Sequence, residues 1–112
     1  MTRLPTKTWL DALRRQVTAD GGFATIVTKG EPTGGAVLFL LRARDGTVTI
    51  IGRSMTGTGE IGWSPLLENV NERDESVNHV LDKQRKYDPD LWVVELDIAD
   101  SARFIDELPA MS

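Results

Sequence analysis

Residues 57–62 read GTGEIG and have the glycine spacing G-x-G-x-x-G, which in dinucleotide-binding proteins lets the backbone approach a pyrophosphate. That chemistry requires a strand before the glycines and a helix that begins at them, because the helix N-terminus receives the phosphate charge. Trp63-Ser64-Pro65 follows the third glycine and does not continue a helical pattern. We therefore interpret residues 57–62 as a glycine-rich connection between other elements.

Basic side chains around this connection nevertheless indicate one possible chemistry, the binding of a small anionic ligand, with or without catalysis. The candidate ligand-binding residues are Arg53, Gly57, Gly59, Arg85 and Lys86. Arg85 and Lys86 fall at the end of a predicted helix, where each cation gains about 0.3–1 kcal/mol from the partial charge of the helix C-terminus. That gain explains them structurally, so anion binding further requires that the loop of residues 57–62 meet Arg53, Arg85 or Lys86 in one pocket.

Acidic residues cluster near the C-terminus and resemble the carboxylates of a metal-dependent nuclease, which must converge on one point. Only Glu95 and Asp97 share a face of a predicted strand, and no lysine follows Glu95 at the required spacing. Asp88 and Asp90 flank Pro89, as turn residues do. We predict no metal site, no cofactor and no catalytic residue among them.

The nucleophiles and bases of the chain are equally sparse. One histidine and no cysteine exclude disulfides, thiolate chemistry and histidine-rich metal sites. His79 lies on the face of a predicted helix opposite the apolar residues, so we expect a solvated side chain. None of the serines lies in the context of a nucleophile elbow.

A candidate interaction patch surrounds the glycine-rich connection. It comprises Ile61, Trp63, Leu66 and Leu67, and an exposed apolar group of this size is typical of a partner surface. The alternative is that the same residues cap the edge of the core. If the patch is exposed, the partner is another protein or a second copy of the chain.

The composition limits the class of protein. A chain of 112 residues, 40% hydrophobic and 27% charged, predicts a single globular domain over residues 1–112 with its core at about 4–108. The net charge of -4 argues against binding nucleic acid, which needs clustered positive charge. The longest apolar run, residues 36–41, is far shorter than the roughly 20 residues that cross a bilayer, and no secretion signal opens the chain. We expect a soluble, cytoplasmic protein without a membrane partner.

The helices and strands that must position these residues are predicted from the spacing of apolar residues and from the turn residues between segments. Apolar residues at helical spacing predict helices over residues 6–19 and 72–87, the second with Asn71 as its N-cap and with Val77, Val80, Leu81 and Tyr87 on its buried face. Strands are predicted over residues 23–28, 36–41, 47–51 and 91–98, with a hairpin turn at Asp45-Gly46. Residues 53–65 are predicted to be irregular apart from a short edge strand near 60–63, and a short helix is expected over 101–107.

These elements predict an α+β domain. Its mainly antiparallel sheet has four or five strands, and two principal helices pack on it, largely on one face, together with the short C-terminal helix. The run of residues 36–41 is apolar at every position, which predicts a central strand covered on both faces.

Several short motifs are similar to those of a known bacterial family. They are Leu4-Pro5-Thr6, Trp9, residues 11–15, 21–24 and 35–37, Asp45-Gly46 and, most specifically, residues 87–95, which read YDPDLWVVE. The chain resembles domain-of-unknown-function family 1491, short proteins found mainly in Alphaproteobacteria. The resemblance implies a short protein of bacterial origin with a cytoplasmic location, and it indicates no activity for the chain. The leading hypothesis is therefore a non-catalytic accessory or interaction domain, whose partner is another protein or, through an exposed strand or the Trp63 region, a second copy of the chain.

Overall fold

The computed structural model describes residues 5–55, 59, 61–100 and 104. Within these residues, two helices and five strands follow one another: α1 (Thr6–Ala19), β1 (Phe23–Thr28), β2 (Val37–Arg42), β3 (Thr47–Met55), β4 (Ile61–Asn71), α2 (Glu75–Tyr87) and β5 (Trp92–Asp97).

The strands form one mixed sheet in the order β1-β5-β2-β3-β4. Neighbouring strands are antiparallel except for the parallel pair of β2 and β5. The prediction of a mainly antiparallel α+β domain is thus confirmed, and β2 is the central strand, as its apolar run predicted. The edges of the sheet are β1 and β4.

The two helices lie on opposite faces of the sheet, so the expectation that they pack largely on one face is wrong. The first core lies under α1 and contains Trp9, Leu10, Val17, Val37, Phe39, Leu41, Ile51, Trp92, Val94 and Leu96. The second core lies under α2 and contains Leu38, Leu40, Val48, Ile50, Val77, Leu81, Leu91 and Val93. Because alternate residues of a strand face opposite sides, the apolar residues 37–41 of β2 contribute to both cores.

Helix α1 begins and ends with its backbone groups satisfied. At its start, the N–H groups of Thr6 and Lys7 donate to the carbonyl oxygens of Thr33 and Pro32. At its end, Gly22 N–H donates to Val17 and Gly21 N–H to Thr18, with Gly21 at φ +87°, which is the Schellman arrangement. The predicted bounds, 6–19, are confirmed.

Strand β4 covers residues 61–65 of the region 53–65, and β3 extends to Met55, so the prediction that this region is irregular apart from a short edge strand near 60–63 is wrong. Strand β4 runs for 11 residues and pairs with an extended β3. The strand is hard to recognise in the sequence because Pro65 removes a backbone donor and the pairing with β3 shifts register twice. Asn69 adopts φ +50°. A proline and bulges are tolerated on an edge strand, where one side makes no ladder.

Helix α2 starts later than predicted. Asp74, not Asn71, is the N-cap, and its carboxylate accepts from the N–H of Ser76 at 2.9 Å. Asn71 instead accepts from the N–H of Arg73 in the preceding turn. Tyr87 was expected on the buried face but is 79% exposed, because the helix ends there, beyond the residues that reach the core.

The hairpin between β2 and β3 forms as predicted. Asp45 Oδ1 accepts from both the N–H and the hydroxyl of Thr47, at 3.0 and 2.6 Å, and Gly46 adopts φ +83°. These hydrogen bonds lower the pKa of Asp45, the hydroxyl contributing most. The predicted helix over 101–107 lies outside the described residues except for Phe104, which is helical and meets Phe39 edge-on with ring centroids 5.8 Å apart.

Candidate functional site

The G-x-G-x-x-G segment joins two antiparallel strands. Met55 pairs with Ile61, and Gly62 lies within β4 opposite Ser54. Gly59 adopts φ +85°, as a tight connection requires, while Gly57 lies outside the described residues. No helix begins at these glycines in the part of the segment that the structure describes, so it lacks the helix N-terminus on which dinucleotide binding depends.

The basic residues of the predicted anion site are not brought together. Arg53 lies on β3 opposite Trp63, and opposed residues share a face, here the face of α1. Arg85 lies on α2 across the sheet, and its Nε donates to the hydroxyl of Thr28 on β1 at 2.9 Å. At about 4.8 Å per strand, β1 and β3 are roughly 14 Å apart.

Local contacts account for Arg85. Besides Thr28, its guanidinium meets the carboxylate of Asp82, one turn earlier, at 3.3 Å. Lys86 is exposed on the same helix. Binding of an anion by Arg53, Gly57, Gly59, Arg85 or Lys86 stays a prediction, but Arg53 and Arg85 do not share a pocket.

The predicted patch around Trp63 is divided between the two faces of the sheet. Trp63 stacks on Trp9 and packs against Phe39, with ring centroids 6.3 and 5.2 Å away, at the margin of the first core. Leu67 packs against the second core, because the bulge between Trp63 and Leu67 inverts the alternation of side chains along β4. Leu66 is 42% exposed, and the side chain of Ile61 lies outside the described residues.

The most specific sequence motif, around Asp88 to Trp92, forms a structural junction. Asp88 Oδ1 accepts from the N–H of Asp90, and the carbonyl oxygen of Asp90 accepts from the N–H of Glu31 at 3.0 Å. Trp92 Nε1 donates to the carbonyl oxygen of Glu31 at 2.8 Å. The motif therefore clamps the loop of residues 30–35 against β5, which explains its composition without catalysis.

Two loop glycines make this junction possible. A Cβ on Gly30 or Gly35 would overlap the carbonyl oxygen of Asp90. The carboxylate of Glu31 accepts from the N–H groups of Thr33 and Gly34, at 2.9 and 2.7 Å, and so holds the loop in shape.

The carboxylate of Glu95, on β5, pairs with the guanidinium of Arg42. Arg42 Nη2 lies 2.6 Å from Glu95 Oε1, and Nη1 contacts Glu72. The hydrogen bond that Arg42 donates to Glu95 raises the pKa of Arg42, although partial burial lowers it. Asp97, two residues on, is exposed. In the part of the chain that the structure describes, no group of histidine and carboxylate side chains is placed to hold a metal ion.

A cleft of about 520 Å³ opens where α1 ends and β1 begins. Its charged lining comprises Arg44 and the carboxylates of Asp20, Asp97 and Asp100, beside the ring of Phe23. The C-terminal end of α1 adds negative partial charge. The lining is acidic on balance and thus favours a positively charged group over an anion.

Sequence reasoning missed the open edge at β1. Ala24 and Ile26 pack against the first core, whereas Phe23, Thr25 and Val27 alternate with them and are exposed, Phe23 by 71% and Val27 by 46%. The sequence FATIVT does not show which of its side chains are exposed. That becomes predictable only once the strand is known to lie at an edge of the sheet. Strand order was therefore the missing information.

The fold defines a single-domain protein in which one mixed five-stranded sheet carries a principal helix on each face. The model of one family, described as Protein of unknown function (DUF1491), matches residues 4–106, and the chain belongs to that family. The resemblance read from the motifs is thereby confirmed. A search of curated proteins finds no match.

Solved structures of the same family share the fold. A crystal structure of a DUF1491 family protein from Caulobacter crescentus CB15 superposes with a TM-score of 0.74 at 33% identity, covering 87% of this chain and 90% of that one. The NMR structure of a DUF1491 family protein from the same organism gives 0.78 at 31%, with both chains fully covered. The solution structure of protein Atu0922 from A. tumefaciens gives 0.77 at 28%, covering 97% and 98%. Among the described residues, no helix is long and apolar enough to cross a membrane.

Proposed function

We propose that this protein is a cytoplasmic, non-catalytic interaction domain whose contact surface is the open edge of the sheet at β1. The observation that carries the proposal is the exposure of Phe23 and Val27 on a strand that has only β5 as a neighbour in the described sheet. An edge strand presents unpaired N–H and C=O groups, to which a strand of another protein adds by main-chain hydrogen bonds.

The two edges differ in how well they are protected. Strand β4 carries Pro65 and two register shifts, which are devices that prevent edge-to-edge pairing. Strand β1 has no proline and no charged residue between Phe23 and Thr28, and its single irregularity lies at Val27, near its end. Pairing with a partner is therefore favoured at β1.

The polar side chains that first suggested chemistry support the non-catalytic part of the proposal, because they have structural partners. Arg85 binds Thr28 and Asp82, Glu95 binds Arg42, and Asp88 shapes its turn. The alternative, a binder or enzyme of a small anion, has less support, since Arg53 and Arg85 lie on opposite faces and the cleft is acidic.

Site-specific photo-crosslinking in the bacterium that makes this protein tests the proposal. Phe23 is replaced by p-benzoylphenylalanine, and covalent adducts are resolved by mass after irradiation. The expected result is a defined adduct with a protein, because the group at position 23 lies on the contact surface.

Leu66 provides the matched control, since it is an exposed apolar residue on the opposite edge of the sheet. The same photoreactive residue at position 66 should give no defined adduct. An adduct at 66 and none at 23 would contradict the proposal and restore the β4 edge, near Trp63, as the contact surface.

A further inference from the structure

We infer that the partner at β1 is a second copy of this chain, added antiparallel so that two five-stranded sheets join into one. This inference rests on the proposed function and names its partner. A two-fold axis perpendicular to the sheet is the symmetry that continues a sheet across two antiparallel edges, and it makes the contact isologous. Such an axis keeps like faces together, so exposed residues of β1 meet exposed residues of the second β1.

The exposed residues select the register. With the axis at Thr25, Phe23 of each copy lies opposite Val27 of the other, an aromatic and β-branched pair of the kind that stabilises antiparallel strands. An axis at Val27 would instead oppose Phe23 to Glu31, beyond the strand, and an axis at Phe23 would oppose Val27 to Ala19 in α1. Only the axis at Thr25 pairs both exposed apolar residues within the strand.

Charge complementarity points to the same partner. The bulge at Val27 shifts the register by one residue, so Lys29 of one copy lies beside Gly22 of the other, just past the end of α1. That end has Asp20 as its C-cap and no basic residue in its last turn, so a cation there would gain from both the carboxylate and the helix partial charge. Asp20 and Lys29 are both exposed, and neither makes an ion pair with another described residue.

The acidic cleft lies at the same place. Asp20, Gly21 and Phe23 are part of its lining, together with Asp97. The long stem of Lys29 from the second copy would reach across the edge and place its ammonium group among these carboxylates. The two-fold axis repeats this contact, so each dimer contains it twice.

Single cysteines test the register, because the chain has no cysteine of its own. Opposed residues in an antiparallel pair have Cα atoms about 4.5–5.5 Å apart, which a disulfide can span. Thr25→Cys should therefore give a disulfide-linked dimer on mild oxidation with copper phenanthroline. Val27→Cys is the control in the same strand, since its two copies would lie four residues, about 14 Å, apart.

Charge reversal tests the role of Lys29. Sedimentation equilibrium of the full chain should show a dimer whose Kd rises about 10-fold for Lys29→Asp or Asp20→Lys, because each exposed pair contributes about 3-fold in affinity and the dimer contains two. The variant with both changes restores opposite charges and should recover most of the affinity. Circular dichroism of each variant confirms that the surface changes leave the fold intact.

A chain that stays monomeric at every concentration, and whose Thr25→Cys variant forms no disulfide, overturns the inference. A disulfide in the Val27→Cys variant with none in the Thr25→Cys variant overturns the register, and equal Kd values for the charge variants overturn the contact of Lys29. If the purified chain is monomeric while the photoreactive group at 23 captures a different protein, the second-copy inference fails and the proposed function survives. If no adduct forms at position 23 and no dimer is found, both the proposed function and the second-copy inference fail.

Discussion

The indole rings of Trp63 and Trp9 lie stacked, 6.3 Å apart and within 12° of parallel, and so join the edge strand β4 to helix α1. Phe39 of the central strand contacts both rings. This arrangement makes Trp63 part of the margin of the core, where the sequence had allowed either a partner patch or a core cap. Its contribution should appear in stability rather than in association.

Replacement of Trp63 by alanine tests that assignment. We expect the free energy of unfolding to fall by about 2–4 kcal/mol, somewhat below the full cost of a buried tryptophan, because the ring is only half-buried. Urea denaturation measures the change. Leu66→Ala, at an exposed position three residues on, should change it by no more than about 0.5 kcal/mol. Equal effects at the two positions would contradict a core role for Trp63.

Gly35 is expected to tolerate no side chain. A Cβ there would overlap the carbonyl oxygen of Asp90 and press on Trp92, so Gly35→Ala should destabilise the protein by about 2–4 kcal/mol. Gly34 is the control in the same loop, because a Cβ at Gly34 would meet no atom within 4 Å. Thermal unfolding of both variants measures the difference, and a stable Gly35→Ala variant would show that the junction is loose.

The half-buried ion pair of Arg42 and Glu95 should contribute more to the free energy of unfolding than an exposed ion pair does. A double-mutant cycle with Arg42→Met and Glu95→Gln is expected to give a coupling of about 1–2 kcal/mol in unfolding free energy. Lys7 and Asp11, an exposed pair one helical turn apart, should give less than about 0.5 kcal/mol. If the coupling energy of Arg42 and Glu95 is no larger than that of Lys7 and Asp11, solvent screens the two ion pairs equally.

The β2–β3 turn should lose stability in acid. Hydrogen bonds from Thr47, the hydroxyl first, lower the pKa of Asp45 below its ordinary value of 3.8. A carboxyl whose pKa is lower when folded contributes stability above its unfolded pKa and loses it as the pH falls through the folded pKa. The unfolding free energy of the wild type should therefore fall more between about pH 5 and pH 2 than that of Asp45→Asn. Parallel pH profiles would show that the turn does not depend on this charge.

Local signals in the sequence were sufficient for the elements that carry them. Apolar residues at helical spacing placed α1 correctly, and the apolar run of β2 identified the central strand, because both patterns reflect burial directly. Strand β4 was recognised only as a short edge strand near residues 60–63, since Pro65 and the register shifts break the period-two pattern. Only pairing with β3 makes that segment a strand.

The candidate site depended on information that no local pattern contains. The exposure of Phe23 follows from the order of strands, which puts β1 at an edge, and from the position of α2, which leaves that part of the face uncovered. The separation of Arg53 from Arg85 likewise follows from strand order and from the opposite faces of the helices. Sequence spacing gave neither relationship.

Amide hydrogen exchange at low and high protein concentration tests the central claim most directly, because it reports on the β1 backbone itself. If a second copy pairs at this edge, amides of β1 that have no partner in the monomer should exchange more slowly as the concentration rises, while those at the β4 edge stay unchanged. Protection of β4, or exchange at β1 that does not depend on concentration, would contradict the account.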